Sequence, residues 1–216
     1  MKLELETYTP SEAEAITEVK QATVRNWRRA GYLPRQEGHA RYNLADMLVM
    51  FVMGMLVSRK TEPEAAKELA GPAARAIFQS TIWSTKAFAE DVRVKAREEL
   101  GEISDEEVSQ LKAKADVEAP REMLELVRSQ EIMLNAAEEL AGISGAEHPT
   151  WLIVWANGDI QFYYDEDIHE ETFFGNTTFD EFVQGPVVLF CLGALAQMVI
   201  DRLPRPAIRL AKEASQ

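Results

Sequence analysis

Cysteine is almost absent: Cys191 is the only one in 216 residues. A lone cysteine closes no intrachain disulfide and makes no thiolate metal site by itself, and its place inside an apolar run marks it as a packing residue. Histidine is scarce too, with His39, His148 and His169, and no His-x-x-x-His pair or EF-hand spacing occurs. The carboxylate-rich "DEDIHEE" (Asp165–Glu171) is therefore expected to be an exposed turn, and no metal or cofactor is expected. Nucleophile elbow, P-loop and dinucleotide fingerprint are all lacking, so the chain is not expected to be an enzyme. No hydrophobic run approaches the ~18–20 residues of a membrane span. The longest, "MLVMFVMGMLV" (Met47–Val57) and "PVVLFCLGALA" (Pro186–Ala196), are expected to be two buried helices. The start, "MKLELETYTP", has no apolar secretory core. Together these absences predict a cytoplasmic protein with no membrane partner.

Positive charge is in short supply, 23 Lys/Arg against 36 Asp/Glu for a formal net charge of −13. It is also unevenly placed. Residues 1–60 hold nine Lys/Arg against seven Asp/Glu, and residues 61–216 hold 14 against 29. Between Lys20 and Tyr42 six basic residues meet one acidic residue, Glu37. That asymmetry predicts a small basic module on an acidic body which does not itself touch nucleic acid.

What is present is mostly helical periodicity. Ser11 with Glu14, Ser104 with Glu107, and Thr178 with Glu181 each have the spacing of a capping box. Helices are expected from the first of these, over Gln21 to about Ala30, and over Leu44 to about Ser58. Two short helices should follow, in "TEPEAAKELA" and "GPAARAIFQSTIW", each with a proline near its start. A helix from Pro120 to Gly142 carries Met123, Leu126, Val127, Gln130, Met133, Leu134, Ala137 and Leu140 at 3–4 spacing. That stripe either packs within the chain or pairs with a second copy. The period then changes to 2 in "TWLIVWANGDIQFYY", with Asn157-Gly158 at the turn of a β-hairpin. A last helical region is expected from Thr178, broken at Gly185-Pro186 and continuing to Leu203. The fold class is thus mainly α with a small β-hairpin.

The basic stretch has an internal order. On a helix over Gln21–Ala30, Val24 and Trp27 share one side, while Gln21, Arg25, Arg28 and Arg29 share another. A first short helix, Ala13 and Ile16 on its apolar side, is joined to it by only Thr17–Lys20. Two short helices with a tight turn between them, the second amphipathic and basic, describe a helix-turn-helix. Residues at the start of the second helix reach base edges in the major groove, which selects Lys20, Gln21 and Thr23. Glutamine can pair bidentately with adenine, and lysine can donate to guanine. Arg25, Arg28 and Arg29 suit phosphates, which fix register without reading sequence. Gly31 ends the helix, Gly38 tips a basic loop carrying Arg35 and His39, and Arg41-Tyr42 precedes a helix capped at Asn43. A basic loop at this place is the wing of a winged helix-turn-helix.

The patterns V-x-x-x-T-V-R-x-W-x-x-x-G-Y-L-P (Val19–Pro34) and G-H-A-R-Y-N-L-A-D (Gly38–Asp46) resemble the DNA-binding domain of the MerR superfamily, over roughly residues 8–70. The resemblance implies that Arg25 and Arg41 contact the DNA backbone and that Tyr42 braces the wing and touches phosphate. It implies either packing or backbone contact for Trp27, and the helical wheel favours packing. The chain departs from the pattern at Glu18, where glycine is usual, and in the apolar helix after the wing. The long dimer helix and short effector loop of metal-sensing members are not recognisable.

The expected organisation is a winged helix-turn-helix DNA-binding domain over residues 1–70. Residues 71–216 should form a helical oligomerisation or effector domain, with the hairpin at about 150–164. In that hairpin Trp151, Trp155, Phe162, Tyr163 and Tyr164 either line an apolar ligand pocket or simply pack. No other feature of the sequence points to a small-molecule effector. The expected function is a sequence-specific transcriptional regulator that binds double-stranded DNA as a homodimer. The alternatives are a phage-type architectural or packaging protein, similar to excisionases or terminase small subunits and using the same reader, and a protein-interaction module whose basic face docks an acidic partner.

Overall fold

The structure is a computed structural model that describes residues 1–34, 40–115, 119–143, 149–164 and 185–212. Eight α-helices and five short strands are found among the described residues, as expected of a mainly α chain. Helix α1 (Pro10–Thr17) is capped by Thr9, whose hydroxyl accepts from the Glu12 N–H while Glu12 accepts from the Thr9 N–H. The Ser11–Glu14 box expected there does not form. Pro10 has no N–H to satisfy and fits the first helical position, which moves the cap back to Thr9. Helix α2 (Gln21–Ala30) ends at left-handed Gly31, and α3 (Leu44–Ser58) opens on a capping box between Asn43 and Asp46.

Helix α3 accounts for the first apolar run. Leu44, Met47, Leu48, Met50, Phe51, Val52, Met53 and Leu56 are all buried, so the helix is covered on every side. An all-apolar helix is stable in water only when enclosed in this way. Helix α4 (Pro63–Ile82) corrects a boundary: one continuous helix stands where two short ones were expected, with Pro72 inside it. Proline in a helix interior forfeits one backbone bond and normally breaks the helix. Here Ala66, Ala70, Ala73, Ala74, Ala76, Ile77 and Phe78 are buried on both sides of Pro72, and that packing holds the two halves as one.

The chain forms two compact units, neither of them a single continuous stretch. One comprises Thr7–Thr81 and Glu147–Pro204. It holds α1 to α3, nearly all of α4, and an antiparallel sheet of β2 (Trp151–Val154), β3 (Ile160–Tyr163) and β4 (Val188–Cys191) in the order β3-β2-β4. Helix α8 (Leu192–Arg202) completes it. The second apolar run is therefore not a helix from end to end: Val188–Cys191 is a strand beside β2, and the helix starts only at Leu192. The β-branched and aromatic content of "VVLF" suits a pleated strand at least as well as a helix, and periodicity cannot separate the two in so short a run.

The hairpin stands where it was expected, with Gly158 at φ +89 in its turn. Gly158 N–H donates to the Trp155 carbonyl and Trp155 N–H to the Asp159 carbonyl. Asn157 does not take positive φ. The loop is thus three residues, a tight turn followed by a left-handed glycine, and not the two-residue form that Asn-Gly suggests. Leu152, Ile153, Val154 and Trp155 are all buried, so β2 is covered on both faces and the simple in/out alternation fails.

The other unit comprises Met1–Glu6, Ile82–Ala146 and Arg205–Gln216. Strands β1 (Leu3–Leu5) and β5 (Ile208–Leu210) pair antiparallel, Leu3 opposite Leu210, and Arg209 bridges Glu4 and Glu6 at 2.9 and 3.1 Å. Neither strand was expected, since three residues carry no legible alternation. Helices α5 (Glu90–Leu100), α6 (Asp105–Ala115) and α7 (Arg121–Ala141) make up the rest, and Ser104 and Glu107 form the expected box. The α7 stripe divides: Met133, Leu134 and Ala137 are buried, whereas Met123, Leu126, Val127 and Leu140 are exposed. The third proposed box, Thr178–Glu181, lies outside the described residues, as do "DEDIHEE" and His148.

Candidate nucleic-acid interface

The turn between α1 and α2 is fixed from both ends. Thr17 donates its hydroxyl to the Ala13 carbonyl at 2.7 Å and accepts the Val19 N–H at 3.2 Å. Glu18 sits at φ +61, in the left-handed region, which is where the resemblance expects glycine. A non-glycine residue there costs roughly 1 kcal/mol. The opposing contribution comes from Arg202 of α8, whose guanidinium donates to the Ile16 carbonyl at 3.1 Å and to the Glu18 carboxylate at 3.0 Å. Val19 is buried, and its Cγ2 lies 2.6 Å from where a Cβ on Gly54 would be. Gly54 thus interrupts the apolar run of α3 because the turn rests on its bare backbone.

Helix α2 lacks a cap of its own, since Lys20 precedes it and makes no side-chain cap bond. Glu14 of α1 substitutes, accepting the Gln21 N–H at 3.3 Å and the Lys20 ammonium at 2.9 Å. The carboxylate also sits favourably at the positive end of the α2 dipole. The hydrogen bond from Lys20 is the main reason that the Glu14 carboxyl is held below its ordinary pKa, with the Gln21 N–H second. Lys20 is pushed above its own by the same bond and by the charge of Glu14. The Lys20 ammonium is thus engaged within the turn, on Glu14.

The two faces of α2 separate as the wheel required. Val24 and Trp27 are buried, so Trp27 packs. Arg25 and Arg29 are exposed, while Gln21, Thr23 and Arg28 are half-buried. The Arg28 guanidinium lies over the Tyr42 ring, 4.9 Å from its centroid, and its Nε is buried without a hydrogen-bond partner. A guanidinium on an aromatic face is restrained in direction by the ring quadrupole. Arg28 and Arg29 also occupy the last turn of α2, where positive charge suits the helix dipole.

Tyr42 is itself buried and exchanges two backbone bonds with Tyr8, at 2.8 and 3.0 Å. The chain entering α3 is therefore tied to the segment that leads into α1. Arg41, next to it, is exposed. Arg35, Gly38 and His39 lie outside the described residues. Arg25, Arg28, Arg29, Arg41 and Tyr42 belong to one compact unit with Lys20, Gln21 and Thr23.

The family model of MerR HTH family regulatory proteins matches residues 8–71. This segment is a MerR-type helix-turn-helix domain. It makes up about the first third of the chain, and it supports a DNA-binding transcription regulator in general terms. No curated protein and no solved structure is significantly similar to the chain. In this MerR-type domain Glu18 takes the backbone conformation for which glycine is suited, so the departure from the pattern leaves the turn intact.

Two functional contacts could not be read from the sequence. Glu14 was placed in a cap for α1, and it instead serves α2. Arg202 lies 186 residues from Ile16, and a lone arginine near the end of a helix carries no signal of such a partner. Among the described residues, no group of three or more His, Cys, Asp and Glu side chains could hold a metal ion, and no helix is long and apolar enough to cross a membrane.

Proposed function

We propose that the chain is a sequence-specific DNA-binding transcriptional regulator that acts as a homodimer. Lys20, Gln21 and Thr23 read base edges at the start of α2. Arg25, Arg28 and Arg29, with Arg35, His39 and Arg41 of the wing, hold phosphates. Tyr42 braces the wing and steers Arg28. The observation that carries this reading is the division of α2, with Val24 and Trp27 buried and the amide and guanidinium side chains left for the groove. Residues 1–70 are the reader, and residues 71–216 serve oligomerisation or effector response. The exposed apolar residues Met123, Leu126, Val127 and Leu140 of α7 supply a surface for pairing with a second copy. Two readers related by a two-fold axis span two half-sites a helical turn or a multiple apart. The protein works by binding, without chemistry of its own, in the cytoplasm.

Mapping of bound genomic sites tests this reading. Inverted-repeat sites at a few promoters are expected. A ring or filament on DNA by light scattering supports the phage-type architectural role instead. Failure to retain DNA at low salt supports a protein-docking module.

A further inference from the structure

A cavity of about 520 Å³ opens between the middle of α4 and the outer strand of the three-stranded sheet, lined by Pro72, Arg75 and Gln79 with Pro149, Phe162 and Tyr164. All of these residues belong to the unit that holds the helix-turn-helix. The size is that of small-molecule sites, which run from roughly 300 to 1,000 Å³ and combine apolar walls with a few polar groups. Three features distinguish it from a packing gap. Gln79 is 5% exposed as a residue, but its amide atoms are not among the buried ones left without a partner, so the amide is open to the cavity that it lines. Arg75 is exposed at the rim and makes no ion pair among the described residues, although acidic groups outnumber basic ones heavily in this chain. Phe162 and Tyr164, alternate residues on the same side of the hairpin, bring two aromatic rings to the wall.

The floor is unusual as well. Gly71 and Pro72 occupy the middle of α4, and a Cβ added at Gly71 meets nothing within 4 Å. Pro72 has no N–H, so one carbonyl of the preceding turn lacks its helical partner. The helix face turned to the cavity is therefore low and open.

We propose that this cavity binds an aromatic carboxylic acid of one or two rings. The planar ring stacks against Phe162 and Tyr164 and the proline faces, the carboxylate pairs with Arg75, and Gln79 bonds a polar edge of the ring system or the second carboxylate oxygen. Guanidinium and carboxylate are matched in geometry, so both charge and shape select the acid. A neutral analogue of the same ring loses the pairing. A cationic analogue meets Arg75 as a like charge and is excluded. The site does not depend on what the helix-turn-helix contacts.

The test uses the full chain with 2-naphthoate, 2-naphthalenemethanol and 2-naphthylmethylamine, read by calorimetry and by the shift in Tm. Binding of 2-naphthoate is expected, at least tenfold weaker for the alcohol and undetectable for the amine. Arg75→Ala should weaken the acid about tenfold or more and leave the alcohol unchanged. Gly71→Leu, which grows into open space and favours helix, should abolish binding of both with Tm preserved. Equal affinity for all three compounds, retention of the acid by Gly71→Leu, or no binding of any at millimolar concentration would each overturn the proposal.

Discussion

Replacing Gly54 by alanine probes the closest approach inside the helix-turn-helix. The added methyl would stand 2.6 Å from Val19 Cγ2, about an ångström inside ordinary carbon–carbon contact. Val19 cannot yield easily, because it is buried in the turn that Thr17 holds from both sides. Overpacking of a closed site costs about 1–3 kcal/mol, while alanine in place of glycine within a helix returns about 1 kcal/mol. Gly54→Ala should therefore destabilise the protein by about 0–2 kcal/mol. The decisive number is the coupling with Val19→Ala, which removes the obstructing methyl. In that background Gly54→Ala should stabilise by up to about 1 kcal/mol, a coupling energy of roughly 1–3 kcal/mol. Urea denaturation of the four proteins of the cycle measures it. Additivity within about 0.5 kcal/mol would refute the claim that the turn rests on the bare backbone of α3.

Arg202→Ala removes the donor to the Ile16 carbonyl and should cost about 1–2 kcal/mol, seen as a lower Tm; an unchanged Tm would show that α8 does not hold the turn. Glu18→Gly relieves the left-handed backbone at the expense of an exposed ion pair worth at most about 1 kcal/mol, so its Tm should be unchanged or slightly raised. For Glu14, the folded carboxyl titrates below its ordinary value, so its contribution is present above that value and is lost as pH falls through the depressed one. Lys20 titrates above its ordinary value, so its part persists until pH rises past that raised value. The stability difference between wild type and Glu14→Gln should thus be flat from about pH 5 to 9 and close on acidification; a change within that window would contradict the pairing. Leu126→Glu on α7 should convert a dimer to a monomer in light scattering while leaving the fold intact by circular dichroism.

The helix-turn-helix was legible because each of its signals is local. Gly31 and Asn43 mark helix ends by backbone conformation and side-chain reach, and Val24 with Trp27 fixes a face by spacing alone. Where a signal was shared between two states, the reading failed. "VVLF" carries apolar residues without a break, and only pairing with β2 makes it strand rather than helix. Pro72 marks a helix start by rule, yet the buried alanines around it sustain one long helix. The stripe on α7 has a single spacing, but three of its residues are buried and four are exposed, a distinction set by neighbours far along the chain. Thr9 displaced Ser11 as a cap because Pro10 fits only one position. Arg202 and Glu14 take their meaning from partners that spacing does not encode.

The central claim is that the exposed face of α2 and the wing hold DNA. Its most direct test is the salt dependence of affinity for wild type, Arg25→Ala and Arg41→Ala on a bound genomic site and on unrelated duplexes. Each substitution should weaken binding to every sequence and lower the slope of log K against log salt by about one. Unchanged affinity of both variants for every duplex would contradict the account.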